Sequence, residues 1–220
     1  MAPDSEAPLD WSLVVPAKVL AQAKSRFTGL TGERRSQLAL AMAADTVAAA
    51  IHADGVAAVL VVTDDPEVGD MAKDLGAIVL SDEPAAGLNE ALGHGAAHAR
   101  HTWPRHGVAG LAADLPALRP GELTVALAAA ASLRTAFVPD AAGTGTTLYA
   151  AVPGAQFRPR FGPLSSRQHL ADGAAEIAMA GQLAGLRRDV DTVDDLRLAA
   201  RIGLGPRTME VLALDTGILS

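Results

Sequence analysis

Asp114 stands in Ala113-Asp114-Leu115-Pro116, directly after the apolar run Gly107–Ala112. An aspartate leaving a buried strand, pinned by a following Leu-Pro, has its oxygens fixed in direction. That suits a metal ligand. Mg²⁺ takes one or two protein carboxylates plus phosphate oxygens and waters at about 2.0–2.1 Å, so placement matters more than number. Taken alone, Asp114 reads equally as a helix cap or a turn residue. Partners lie in Arg187-Arg188-Asp189-Val190-Asp191-Thr192. On an extended segment alternate residues project the same way, so Asp189 and Asp191 can converge. Convergent carboxylates are unfavourable unless something positive sits between them. The competing assignment makes Asp191 or Thr192 the cap of a helix Val193–Ile202 and pairs Asp189 with Arg187 or Arg188.

Cations for a polyphosphate have their own place. The chain has three lysines against fifteen arginines, and two of the three, Lys18 and Lys24, follow the apolar run Leu13-Val14-Val15 that ends at Pro16. With Arg26 they make a loop after a buried first strand able to meet a phosphate chain; a solvated loop is the other reading. Gly143-Thr144-Gly145-Thr146-Thr147 combines backbone that tolerates close approach with a hydroxyl donor, or else forms a hairpin turn. Gly162 and Ser165 sit where a loop enters a helix Ser165–Gly173, and N–H groups at a helix start favour anions. An ordinary cap is the alternative there. Asp64 and Asp65 precede Pro66, a helix-start signal, and read as structural or near the nucleotide. His94, His98 and His101 share helical spacing but lack an accompanying carboxylate, so they read as a solvated face. Trp11 and Trp103 read as packing residues.

The elements that must position these groups alternate. Short apolar runs at Ser12–Pro16, Val56–Thr63, Ala77–Leu80, Gly107–Ala112 and Thr135–Val138 predict strands covered on both faces. Between them fall helices over Glu33–Ile51, Pro66–Leu75, Leu88–Arg100 and Glu122–Leu133, with Thr31 able to cap the first. Alternation of this kind implies a mostly parallel sheet in a three-layer α/β fold, with ligands at the carboxyl ends of the strands. Leu148–Val152 is expected as an antiparallel strand at or near the sheet edge, followed by an irregular stretch Pro153–Pro163. Neither an internal repeat nor a second apolar core is evident. Residues 1–220 are therefore expected as one domain, the first ten flexible.

Composition excludes several classes. Cysteine is absent, which removes disulfides, thiolate metal sites and thiol nucleophiles. A net charge of −7 with 3% aromatic residues argues against nucleic-acid partners. The longest apolar stretch, Val125 to Ser132, falls far short of the ~20 residues of a membrane span. The N-terminus lacks the basic-then-apolar order of a signal peptide. A cytoplasmic protein without membrane contact is expected; oligomeric state is left open.

Taken in order, Pro16-Ala17-Lys18, Thr63-Asp64-Asp65, Gly87-Leu88-Asn89-Glu90-Ala91-Leu92, Ala113–Pro116, Gly143–Thr147, Phe161-Gly162-Pro163-Leu164-Ser165 and Asp189–Thr192 resemble a known family. It is that of the phosphoenolpyruvate and 2-phospho-L-lactate guanylyltransferases of deazaflavin coenzyme F-420 biosynthesis, and the resemblance runs from Ser12 to about Gly203. It implies a nucleotidyltransferase fold like that of nucleotide-diphospho-sugar transferases, with GTP, a small phosphorylated carboxylic acid and Mg²⁺. By the same resemblance Asp114, Asp189 and Asp191 bind metal, while Thr146, Gly162 and Ser165 contact phosphoenolpyruvate. Lys18 and Lys24 then face the GTP phosphates and act with Asp114 in catalysis, and Gly87 and Asn89 lie near the base or ribose. The Ala-rich, Arg-over-Lys composition resembles that of a GC-rich actinobacterium, where phosphoenolpyruvate-using members occur. Molybdenum-cofactor and sugar-phosphate nucleotidyltransferases are rivals, but they usually open with a Gly-Gly-rich loop where Val15-Pro16-Ala17-Lys18 stands. A non-catalytic nucleotide-binding relic is a further rival, although such a relic need not keep all three aspartates.

Overall fold

A computed structural model describes residues 8–17, 27, 30–82, 86–179 and 181–214. Its first strand, β1 (Trp11–Pro16), is buried along its whole length. Leu13 and Val15 enter one apolar cluster and Val14 another, so the strand is covered on both faces. The chain then runs through α1 (Gly32–Ile51), β2 (Val56–Val62), α2 (Pro66–Asp74), β3 (Ile78–Leu80), α3 (Leu88–Thr102) and β4 (Gly107–Leu111). It continues through α4 (Pro120–Ala130), β5 (Thr135–Pro139), β6 (Thr146–Ala151), α5 (Ser165–Ala171), β7 (Ala175–Glu176), α6 (Val193–Ile202) and α7 (Pro206–Ala213). Among the described residues these strands form one sheet in the order β3-β2-β1-β4-β6-β5-β7.

Residues of α1, α2 and α4 cover one face of the sheet, including Val47, Val68, Leu123 and Leu127. The other face is covered by α3 through Ala91, Leu92, Ala96 and Ala99. A Cβ at Gly95 would collide with Val14, so this glycine sets how closely α3 can lie on the sheet. The expected three layers are present. A third, smaller cluster joins Leu38 and Met42 of α1 to Val190, Leu196, Ala199 and Leu212. It docks the C-terminal segment onto α1. Among the described residues no helix is long and apolar enough to cross a membrane.

Two expectations need correction. The antiparallel strand β6 is not at the edge: it lies between β4 and β5, antiparallel to both, and β7 is the last strand beyond them. All six of its residues are buried, and a strand pairs with it on each side. Helix α7 is not among the expected elements, although Gly205-Pro206 carries the proline-at-start signal. Its first N–H groups are satisfied by a distant side chain: buried Asp45 of α1 accepts from Arg207 N (3.1 Å) and Thr208 N (2.8 Å).

Candidate active site

Because β6 runs against β4, its beginning lies beside the end of β4, and the Ala112 N–H donates to the Thr147 carbonyl at 2.9 Å. Thr146 and Asp114 therefore leave the sheet at the same end of the strands. Asp114 is held by its neighbours: the Leu115 N–H donates to Thr46 Oγ1 (3.0 Å) and the Asp114 carbonyl accepts from Val190 N–H (3.1 Å). This last bond brings the late aspartates to the early one. Val190 is fully buried in the third cluster, so Asp189 and Asp191 flank an anchored residue and stay partly exposed. The approach is secured further by Glu122. Its carboxylate accepts from Arg119 N (2.8 Å) at the start of α4 and from Gly185 N (2.7 Å) in the incoming segment.

The carboxylates sense one another. Asp189 is pushed up to about 7, first by burial and then by the charges of Asp114, Asp140 and Asp191. Pairing with Arg187 does not account for Asp189. Arg187 is engaged elsewhere, its Nε donating to the Pro139 carbonyl (3.1 Å) and its Nη2 to that of Asp140 (2.8 Å). The helix cap is Thr192, in a capping box with Asp195, so Asp191 is spared that role. Among the described residues no three His, Asp or Glu side chains stand close enough to hold a metal ion unaided. The donor set nevertheless suits Mg²⁺. It offers hard carboxylate oxygens whose mutual repulsion a cation relieves, and that ion completes its shell with phosphate oxygens and water.

Beside the carboxylates lies a hydroxyl cradle. The segment Gly143–Gly145 is the hairpin turn between β5 and β6, and Asp140 organises it by accepting from Thr144 N (2.9 Å) and Gly145 N (2.8 Å). A Cβ at Gly145 would strike the Asp140 carboxylate. The close approach that this glycine permits is thus to an anion of the chain itself. The register between β5 and β6 shifts at Val138/Pro139, which leaves Thr147 as an extra residue in β6. Without that bulge Thr146 would share the face of Leu148; with it, Thr146 turns toward Tyr149 and His169. Its hydroxyl meets His169 Nδ1 (3.0 Å) and Ser165 Oγ (3.0 Å).

The helix-start rationale for Gly162 and Ser165 fails. Ser165 N–H already donates to the Gly162 carbonyl (3.2 Å) and Ser166 N–H to that of Thr144 (3.2 Å), so the first turn of α5 has spent those donors internally. What the region offers is hydroxyl groups and the sharp chain reversal at Gly162, whose φ is +135°. Asn89 of α3 holds that reversal: its amide donates to the Phe161 carbonyl (3.0 Å) and accepts from Phe161 N–H (2.8 Å).

The family model described as "Guanylyl transferase CofC like" matches residues 11–207. The chain belongs to this family. Its relatives include the phosphoenolpyruvate guanylyltransferase of Thermomonospora curvata, 57% identical over 208 residues, which are 94% of this chain and 91% of that protein. The enzyme of the same name from Salinispora arenicola is 54% identical over 201 residues, 90% of this chain and 91% of its own. Among solved structures, a protein of Desulfovibrio desulfuricans G20 described as a nucleotide-diphospho-sugar transferase superposes with a TM-score of 0.67 at 15% identity, covering 96% of this chain and 97% of that one. That likeness speaks for the fold alone, and it is the nucleotidyltransferase fold expected.

Membership of the guanylyl transferase family sets the remaining residues in context. The expected phosphate ligands Lys18 and Lys24, with Arg26, lie outside the described residues. Gly87 precedes α3 with φ +132°, and Asn89 beside it is committed to the Phe161 backbone. Asp65 caps α2 and Asp64 accepts from Asp82 N (2.9 Å), both structural roles. His94, His98 and His101 are exposed, and Trp11 is core. Sequence reasoning missed Asp140 and His169, and it offered Arg187 as a partner of Asp189 where the side chain holds the Pro139 and Asp140 carbonyls. Asp140 had a usable signal, a carboxylate at a strand end before Gly-x-Gly. Buried His169 had none, because its partners are distant in sequence.

Proposed function

We propose that this protein transfers the guanylyl group of GTP to phosphoenolpyruvate, giving enolpyruvoyl-diphospho-guanosine and pyrophosphate, as a step of deazaflavin coenzyme F-420 biosynthesis in the cytoplasm. The observation that carries the reaction type is the juxtaposition of the mutually repelling Asp114, Asp140, Asp189 and Asp191 with the Thr146 hydroxyl at one end of the sheet. The acceptor follows the relatives, whose name is phosphoenolpyruvate guanylyltransferase.

A phosphate oxygen of the acceptor attacks the α-phosphorus of GTP. The new P–O bond forms as the bond to the bridging β-phosphate oxygen breaks, and pyrophosphate departs with that electron pair. The attacking phosphate is largely dianionic near neutrality, since its second pKa is about 6, so no general base is needed. The protein's task is to align two anions and offset their charge. Asp114, Asp189 and Asp191 would hold Mg²⁺, which supplies charge neutralisation at the reacting oxygens. Thr146 orients the acceptor, with Ser165 behind it and Gly162 in the adjoining reversal. Lys18 and Lys24 draw charge toward the leaving pyrophosphate.

The test measures pyrophosphate release from GTP in Mg²⁺, with phosphoenolpyruvate and 2-phospho-L-lactate offered separately and in competition. Turnover with phosphoenolpyruvate is expected to dominate, with phosphorus NMR showing a mixed diphosphate. Preference for 2-phospho-L-lactate would overturn the acceptor assignment, and GTP binding without turnover on either would overturn the reaction.

A further inference from the structure

His169 is fully buried yet makes polar bonds at both ring nitrogens, and neither the fold nor the proposed chemistry has used it. The Arg160 backbone N–H donates to Nε2 at 2.9 Å. A backbone N–H can only donate, so Nε2 carries no hydrogen, and the neutral ring must bear its proton on Nδ1. Nδ1 lies 3.0 Å from Thr146 Oγ1 and therefore donates to it. Ser165 Oγ stands 3.0 Å from the same oxygen and donates as well. A threonine hydroxyl has two lone pairs and one hydrogen. With both lone pairs filled from inside the protein, only the hydrogen remains to offer.

Reversing the bond between the two hydroxyls would free a lone pair on Thr146 and leave the spare hydrogen on Ser165. One of their two hydrogens serves the bond between them, and one is left over. Ser165 is fully buried while Thr146 retains 8% exposure, so the leftover donor belongs on the Thr146 side. Such a group has no lone pair to turn toward an anion. We propose that His169 is a positioning residue that, together with Ser165, fixes the Thr146 hydroxyl as a one-way hydrogen-bond donor to the phosphorylated acid. The inference rests on the reading that Thr146 contacts that acceptor.

The ring is held for this role. It stacks on Tyr149 with centroids 4.6 Å apart, and Phe137 and Phe161 approach at 5.3 and 6.2 Å. Burial lowers its pKa to about 4, an effect that nearby Arg160 adds to and Asp172 opposes. Nε2 thus stays an acceptor near neutrality, and the tautomer is set by a backbone group that cannot change sign.

The experiment compares His169→Phe, which keeps a stacked ring without nitrogens, His169→Asn, whose amide can replace the Nδ1 donor, Thr146→Val and the Phe/Val double variant. Thr146→Val is expected to raise KM for phosphoenolpyruvate about tenfold, the effect of one lost hydrogen bond to a charged group. His169→Phe should raise it about three- to tenfold while KM for GTP stays within about twofold, and His169→Asn should recover most of the loss. The double variant should be no worse than Thr146→Val, which a merely structural role would not produce. If Thr146→Val raises KM and His169→Phe does not, the positioning role is wrong while the cradle stands. If Thr146→Val has no effect, both fall. Long-range ¹H–¹⁵N correlations of ¹⁵N-histidine-labelled wild type read the tautomer independently of any variant's folding. A proton on Nε2 would overturn the proposal; a proton on Nδ1 alone is the expected result.

Discussion

Asp189 is where charge at the level of single residues is most exposed to test. Its carboxyl titrates near 7 in the fold, against 3.8 ordinarily, because it is partly buried among Asp114, Asp140 and Asp191. A raised folded value means that the native state keeps a proton the unfolded chain has already released. The stability from that proton is full below about 4 and lost as pH rises through about 7. Asp189→Asn should therefore stabilise the metal-free protein at pH about 8 by one to a few kcal/mol, since a tenfold change in proton affinity is worth about 1.4 kcal/mol. The same variant should lose on the order of 10²-fold or more in pyrophosphate release, because a ligand oxygen at the reacting centre is gone. Greater stability with lower turnover is the signature of a group strained for function. Urea titration beside a turnover assay checks it, and unchanged stability would mean that the carboxylates do not crowd one another. Asp114→Asn should reduce turnover comparably with little change in folding.

At the level of elements, the turn between β5 and β6 decides where Thr146 points. Asp140 fastens that turn through the N–H groups of Thr144 and Gly145, and Arg187 ties its backbone to the segment carrying Asp189. Asp140→Ala should cost about 1.5–3 kcal/mol, the range for hydrogen bonds to a charged group, and should raise KM for phosphoenolpyruvate more than KM for GTP. Equal effects on both constants, measured by pyrophosphate release, would show that the turn serves general stability alone. This element also marks what the sequence could reveal. Apolar runs such as Leu13–Val15 and Val59–Val62 disclose the parallel strands, because burial on both faces leaves an unbroken apolar stretch. The range Val193–Ile202 was legible to the residue, since Asp191 and Thr192 are both cap types there and Thr192 takes the position. Strand order was not legible. A buried β6 reads alike at an edge or in the interior, and only pairing with β4 and β5 separates the cases. In the site, the aspartates stand out by type and spacing. The tie from Asn89 to Phe161, 72 residues apart, leaves no local trace.

The molecule as a whole carries two titrations of opposite sense across nearly the same range of pH. His169 has a folded value of about 4, below its usual 6.5, so its contribution to stability is full above about 6.5 and lost as pH falls toward 4. Asp189, held above its usual value, works the other way, losing stability as pH rises toward 7. In the metal-free protein the two slopes offset, and stability should vary little between pH about 4.5 and 6.5 on their account. A cation bound by the carboxylates removes the Asp189 slope and leaves that of His169. Saturating Mg²⁺ should therefore make stability climb with pH through this window, and its stabilising effect should be several-fold larger at pH about 8 than at pH about 5. Asp189→Asn should show the climbing profile without metal, and His169→Asn should show, without metal, a profile that declines with pH. Urea midpoints at four pH values, with and without Mg²⁺, separate these outcomes. Wild-type profiles that run parallel with and without Mg²⁺ would mean that the cation is not held where the carboxylates repel, and the proposed alignment of two anions at this end of the sheet would lose its physical basis.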